Sequence, residues 1–365
     1  MSDCRKAIEL CVSLHTFRCT EANVIPAFLK ALQDKPNLKS LRIYGSLTTE
    51  QINLVSQMDG LNDVFLEYAN WRLVDRLPVW FSGMAKTLTT IVLYVSSVIG
   101  PGGRIFTQIQ RSSDLNQITL EAVLKELPDL RGLHVVQCPP IDQTTLLELL
   151  QHTPALESLS LTTLEKSRSL PPTIPLLPSL AHIAIDARYS MTSSPTPNIL
   201  NTLLDLLKAS APNLIAFTLK LPERTIVIQH SFIDKLVDVY GNNLKKLAFL
   251  DASLELESIG RIAEDCPLLE RLDVAIPIRD VVRSCHFVRL PLLSDIQYAF
   301  ASLLTPAESL TTLVDVDAHA QHGVRPSLNL ELVEHLMESV PTLRTVVSDR
   351  RVWVSVRIVI ILSTP

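Results

Sequence analysis

PALESLSL, residues 154–161, places Leu156 two residues after a proline and then sets Leu159 and Leu161 at fixed steps beyond it. The same spacing reads PNLKSLRI at 36–43 and PDLRGLHV at 128–135. Written as L-x-x-h-x-h, with h apolar, the template starts at Leu14, Leu38, Leu61, Leu88, Leu130, Leu156, Leu180, Leu214, Leu244, Leu269, Leu293, Leu310 and Leu343. Three copies depart from it. Leu14 leads to Phe17 and Cys19, Leu310 to Leu313 and Asp315, and Leu343 to Val346 and Ser348.

Many steps between starts run from 23 residues (Leu38 to Leu61) to 27 (Leu61 to Leu88). A fixed period of ~20–29 residues marks a repeat architecture. Longer steps leave room for the loops SSVIGPGGRIF (96–106), MTSSPTPN (191–198) and HAQHGVRP (319–326). The step from Leu293 to Leu310 is only 17 residues, so one of those two starts is misread.

Between the templates lie segments with helical apolar spacing, such as DQTTLLELLQHTP, SFIDKLVDVYGNN and LELESIGRIAEDCP. Several end at a proline, which cannot continue a helix. The unit is therefore strand, loop, helix, proline. Residues of a strand alternate faces, so Leu159 and Leu161 point one way and Ser158, Ser160 and Thr162 the other. A single unit cannot bury its leucines, but stacked units can. The expected fold is α/β: a leucine-rich-repeat solenoid, or horseshoe, with a curved parallel sheet and outer helices. The array covers residues 1–351 in about 12–13 irregular units.

Composition narrows the function. The chain has 365 residues, 47% hydrophobic and only 5% aromatic, so aliphatic side chains build the core. A net charge of −5 argues against a nucleic-acid binder that neutralises phosphates. The cysteines, Cys4, Cys11, Cys19, Cys138, Cys266 and Cys285, include no Cys-x-x-Cys pair and suit a reducing compartment. Cys138 and Cys266 read as small hydrophobes. MSDCRKAIELC is no signal peptide, and no apolar run reaches the ~18 residues of a membrane span. The expectation is a cytoplasmic or nuclear protein without a membrane or nucleic-acid partner.

No catalytic site emerges. Asp315-x-Asp317-x-His319-x-x-His322 has metal-ligand residue types, but its spacing fits no helix face, so it reads as a solvated loop. GPGGR at 100–104 lacks the pattern of a phosphate-binding loop. There is no Gly-x-Ser-x-Gly elbow and no local Cys–His signature. His134 and His182 fall at outward template positions. The chain is read as a non-enzyme with no cofactor and no metal.

The Pro-x-Leu-x-x-Leu-x-Leu strands with intervening helices resemble the leucine-rich repeats of ribonuclease-inhibitor-like proteins. The irregular unit lengths and Cys138 in LRGLHVVQCPPI are more similar to the repeat region of fungal F-box proteins. That resemblance implies a substrate-recognition arm of a ubiquitin ligase. An F-box module would bind the Skp1 adaptor while the repeats hold a protein on the concave face. The 13 residues before Leu14 are too few for that module, so it is lost or the chain is a piece of a longer protein. Other readings are an inhibitor or regulator on the same horseshoe without a link to ubiquitin, and a truncated, non-functional gene product.

Two further expectations concern surfaces. The apolar stretch VWVSVRIVIILSTP (352–365) is either a last strand on the edge of the array or a spurious extension. On the concave face, outward positions of three consecutive strands carry Tyr44, Phe65 and Tyr94, with Arg42, Asp63 and Glu67 as a polar rim. Tyrosine and arginine are enriched at binding hot spots, so these six residues form the candidate partner site.

Overall fold

The computed structural model describes residues 2–21, 23–94, 115–138, 140–164, 169–188, 198–221, 226–276, 299–316, 328, 330–348 and 351–355. The loops 96–106 and 319–326, residues 191–197 of the third loop, Cys285, Leu293, Asp317, His319, His322, GPGGR and 356–365 lie outside them. The chain divides into two compact units. One is Met1–Arg188 with Leu206–Asn213, the other Tyr189–Asp205 with Leu214–Pro365.

The first unit is a parallel ladder. Its strands are β1 (Thr16–Cys19), β2 (Ser40–Tyr44), β3 (Asp63–Glu67), β4 (Thr90–Tyr94), β5 (Gly132–Val136), β6 (Ser158–Leu164) and β7 (His182–Arg188). Each pairs in parallel with the next. The second unit holds β8 (Ala216–Lys220), β9 (Val227–Ile228), β10 (Lys246–Leu250), β11 (Ser253–Leu254), β12 (Arg271–Val274), β13 (Thr312–Asp315), β14 (Thr345–Ser348) and β15 (Arg351–Val354). There β8, β10, β12, β13 and β14 run parallel in that order, and β15 closes antiparallel on β14. The small strands β9 and β11 pair separately. Helices connect most of these strands, so the α/β reading with mostly parallel strands holds.

Every described template leucine from Leu38 to Leu343 is buried, and Leu159 and Leu161 are fully so. Strands β2, β3 and β4 alternate strictly between buried and half-buried residues, as a pleat with one covered face requires. Strand β12 pairs directly with β13, Arg271 opposite Thr312, so among the described strands the one that follows Leu310 is next to the one that follows Leu269.

The proline has a local geometric role. The N–H of Leu38 donates to the Lys35 carbonyl at 3.1 Å, a turn with Pro36 as its second residue. Leu130, Leu156, Leu180, Leu269 and Leu343 close the same turn over Pro128, Pro154, Pro178, Pro267 and Pro341. Proline presets the backbone φ that this turn position needs. One step on, the Lys39 carbonyl accepts from both Asn62 and Asp63, at 2.7 and 3.0 Å. The same double acceptance recurs at His15, Asn62, Thr89, Arg131 and Glu157, and in the second unit at Ile215, Lys245, Glu270 and Thr311.

Helix starts are capped by short polar side chains. Thr48 and Gln51 form a reciprocal capping box on Thr49–Val55. Asn70, Asn116 and Asp142 each accept a backbone N–H from the first turn of the next helix. Each satisfies a donor that has no intrahelical partner. Among the described residues no helix is long and apolar enough to cross a membrane.

Candidate partner-binding face

Because β2, β3 and β4 are in register, their outward side chains form rows across the strands. Arg42, Phe65 and Val92 are opposite one another, and one step on so are Tyr44, Glu67 and Tyr94. Ser40, Asp63 and Thr90 make the row at the other end of the strands. All six candidate residues are half-buried.

The arrangement departs from rings inside a polar rim. Glu67 stands between Tyr44 and Tyr94, and Arg42 lies over Phe65 with its guanidinium carbon 5.9 Å from the ring centroid. Arg42 Nε and Nη2 both reach Glu67 Oε1, at 2.7 and 2.6 Å. Their side chains are 36% and 15% exposed. At that exposure the ion pair contributes about 0.2–1 kcal/mol, so its value lies in fixing the arginine over the ring.

Tyr44 packs on a residue that the pleat rule does not select. Its ring centroid is 5.1 Å from that of Tyr68. Burial, and then the neighbouring Tyr68, raise the Tyr44 hydroxyl above its ordinary pKa, so Tyr44 stays neutral. Tyr68 comes directly after the end of β3 and has φ 56°. Gln137 (φ 58°) and Asp251 (φ 57°) occupy the same template position, seven residues after Leu130 and Leu244. Left-handed backbone is uncommon for non-glycine residues, and a genuine outlier for one as bulky as tyrosine.

Several contacts hold Tyr68 there. Its N–H donates to the Tyr94 carbonyl at 2.9 Å. The loop after β2 presses on the loop after β3, where a Cβ added at Gly45 would lie 2.7 Å from the Ala69 Cα. Asn70 donates its N–H to the Gly45 carbonyl at 3.2 Å and its side-chain amide to Leu47 at 2.7 Å. A strained residue persists only where its surroundings over-determine it.

The same face continues along the ladder in a more polar style. His134 Nδ1 is 2.5 Å from Ser160 Oγ, and burial lowers the pKa of the imidazole. The Gln137 side chain donates to Asp186 Oδ2 at 3.0 Å, while its N–H donates to Thr162 Oγ1 at 2.7 Å. His182 is exposed.

Elsewhere, reactive residue types have structural partners. Burial pushes the Cys138 and Cys266 thiols up to about 12. In the second unit Ser258 Oγ is 2.9 Å from His230 Nδ1, and His230 Nε2 is 3.3 Å from Asp234. Ser258 is fully buried, so this trio links two helices and gives a substrate no access to the hydroxyl. Among the described residues no group of three or more His, Cys, Asp or Glu side chains could hold a metal ion. Asp315, the one described residue of the metal-type motif, is buried and bonded to Ser348.

Comparison with family models finds no match, and comparison with characterised proteins finds no relative.

Proposed function

We propose that the chain is a leucine-rich-repeat scaffold whose outward sheet face binds another protein. Following its resemblance to F-box repeat regions, it serves as the substrate-recognition part of a ubiquitin ligase in the cytoplasm or nucleus. The observation that carries the binding reading is the Arg42–Glu67 pair set over Phe65, with Tyr44 and Tyr94 in the adjoining row. These are residue types that dominate interface energetics, held half-buried on the face away from the leucine core.

The test is affinity capture from cells with the wild-type chain and with Phe65→Ala/Tyr94→Ala, read by mass spectrometry beside melting temperature. Captured proteins lost at unchanged melting temperature support the scaffold. Retained partners with a lowered melting temperature assign the rings to the core. Capture of Skp1 supports the ligase assignment, and a reproducible partner set without it rejects that part.

A further inference from the structure

The C-terminal ends of β2, β3 and β4 gather three tyrosines around one carboxylate. Tyr44, Glu67 and Tyr94 are registered neighbours, and Tyr68 joins them through its ring contact with Tyr44 and its N–H on Tyr94. Asparagine, aspartate or glycine would sit more easily in the left-handed position that Tyr68 occupies. Placing a tyrosine there widens the aromatic surface beside Glu67.

The carboxylate is only half used. Arg42 takes Oε1 with both of its contacts, and among the described residues no donor meets Oε2. Asp63, on the same strand face, has no ion pair among the described residues. Arg18 is exposed and registered with Arg42, so it lies on the far side of Arg42 from Glu67. Arg42 also gives an internal precedent, as a cation resting on an aromatic ring while it pairs with this carboxylate. Ring faces attract cations through their quadrupole, and long basic side chains lay their stems on apolar surface.

We infer that this tyrosine cluster takes a lysine or arginine side chain of a protein partner. Its charge meets Glu67 Oε2 and its stem lies on Tyr44 and Tyr68. This rests on the scaffold reading above and specifies the chemistry of the partner.

The experiment titrates the full chain with labelled peptide libraries of equal length, one rich in lysine and arginine, one neutral and one acidic. The basic library binds best, and added salt weakens it. Tyr68→Gly removes the ring and relieves the backbone, so it weakens basic-peptide binding about tenfold at an unchanged or raised melting temperature. Glu67→Gln weakens it by a similar factor. Three outcomes overturn the inference: basic peptides binding no better than the others, no library binding, or Tyr68→Gly binding as well as wild type. The scaffold reading fails separately, when proteins captured from cells are indifferent to Phe65→Ala/Tyr94→Ala.

Discussion

Ser348 Oγ donates to Asp315 Oδ2 at 2.7 Å across two registered strand positions that the repeat template reserves for apolar residues. Asp315 is 4% exposed and also accepts the Ile276 N–H at 3.3 Å. Two neighbouring departures from the template therefore compensate each other. Ser348→Ala removes a donor from a buried carboxylate and is expected to cost about 1.5–3 kcal/mol. Urea unfolding measures it, and a loss below ~0.5 kcal/mol would show that the bond contributes nothing net.

Leu159→Ala is expected to destabilise by about 2–5 kcal/mol, since Leu159 is fully buried between the neighbouring strands of β6. Units of a stack couple mainly to their neighbours, so hydrogen exchange should accelerate first in β5, β6 and β7. Uniform acceleration over all described strands would contradict that locality.

Gly45→Ala tests the clasp beneath the tyrosines. The added methyl meets the backbone of Ala69, which cannot rotate away as a side chain could. Overpacking of this kind costs about 1–3 kcal/mol, read as a lower melting temperature. The same shift should disturb the Tyr44–Tyr68 stack and change tyrosine fluorescence.

Truncation isolates the contribution of the last described strand. In β15, Val352 and Val354 are 61% and 62% exposed, while Trp353 pairs opposite Val346. A chain ending at Arg350 bares the edge of β14 and is expected to give less monomer than one ending at Ser355, because an unpaired strand edge invites association. Equal monomer yields would show that β15 protects nothing.

The buried thiols give a pH dependence with a definite sign. Cys138 and Cys266 rise from 9.0 to about 12 because burial disfavours the thiolate. The folded state prefers the protonated thiol, so this stabilising contribution is complete below pH 9 and is lost as the pH climbs through the window up to about 12. Alkylation at pH 8 should label the exposed Cys4 and Cys11 and spare Cys138 and Cys266 until the chain unfolds.

Legibility in the sequence depends on which interactions are periodic. The leucines repeat because each strand must bury the same face, so the ladder strands can be located from Leu38, Leu130 or Leu156 alone. Pairing of the Arg42, Phe65 and Tyr44, Tyr94 rows comes from the same count. Tyr68 is out of reach, because the pleat rule ends with the strand and its ring is aimed by a positive φ that no neighbouring residue type announces. Its place after Glu67, where the chain turns, is the available signal. Asp315 and Ser348 look like lapses for a similar reason: their bond joins residues 33 apart in sequence.

The doubly accepting carbonyls give insertions a place to go. Leu88 and Leu130 are 130 − 88 = 42 residues apart, yet Thr90 still faces Gly132 and the Thr89 carbonyl still takes two N–H groups. Step size along the ladder is set at the strand starts and is indifferent to how much chain is spooled out before the next one. Extra residues in the loops between strands should therefore leave the ladder intact, whereas the connecting helices are held to their length by buried side chains such as Leu120, Leu124, Leu146 and Leu147. A single-residue insertion between Lys39 and Ser40 would instead turn Leu41 and Ile43 out of the core. Length variation among genes for such ladders should pile up in the loops, leaving the strand starts as the fixed points by which their alleles can be aligned.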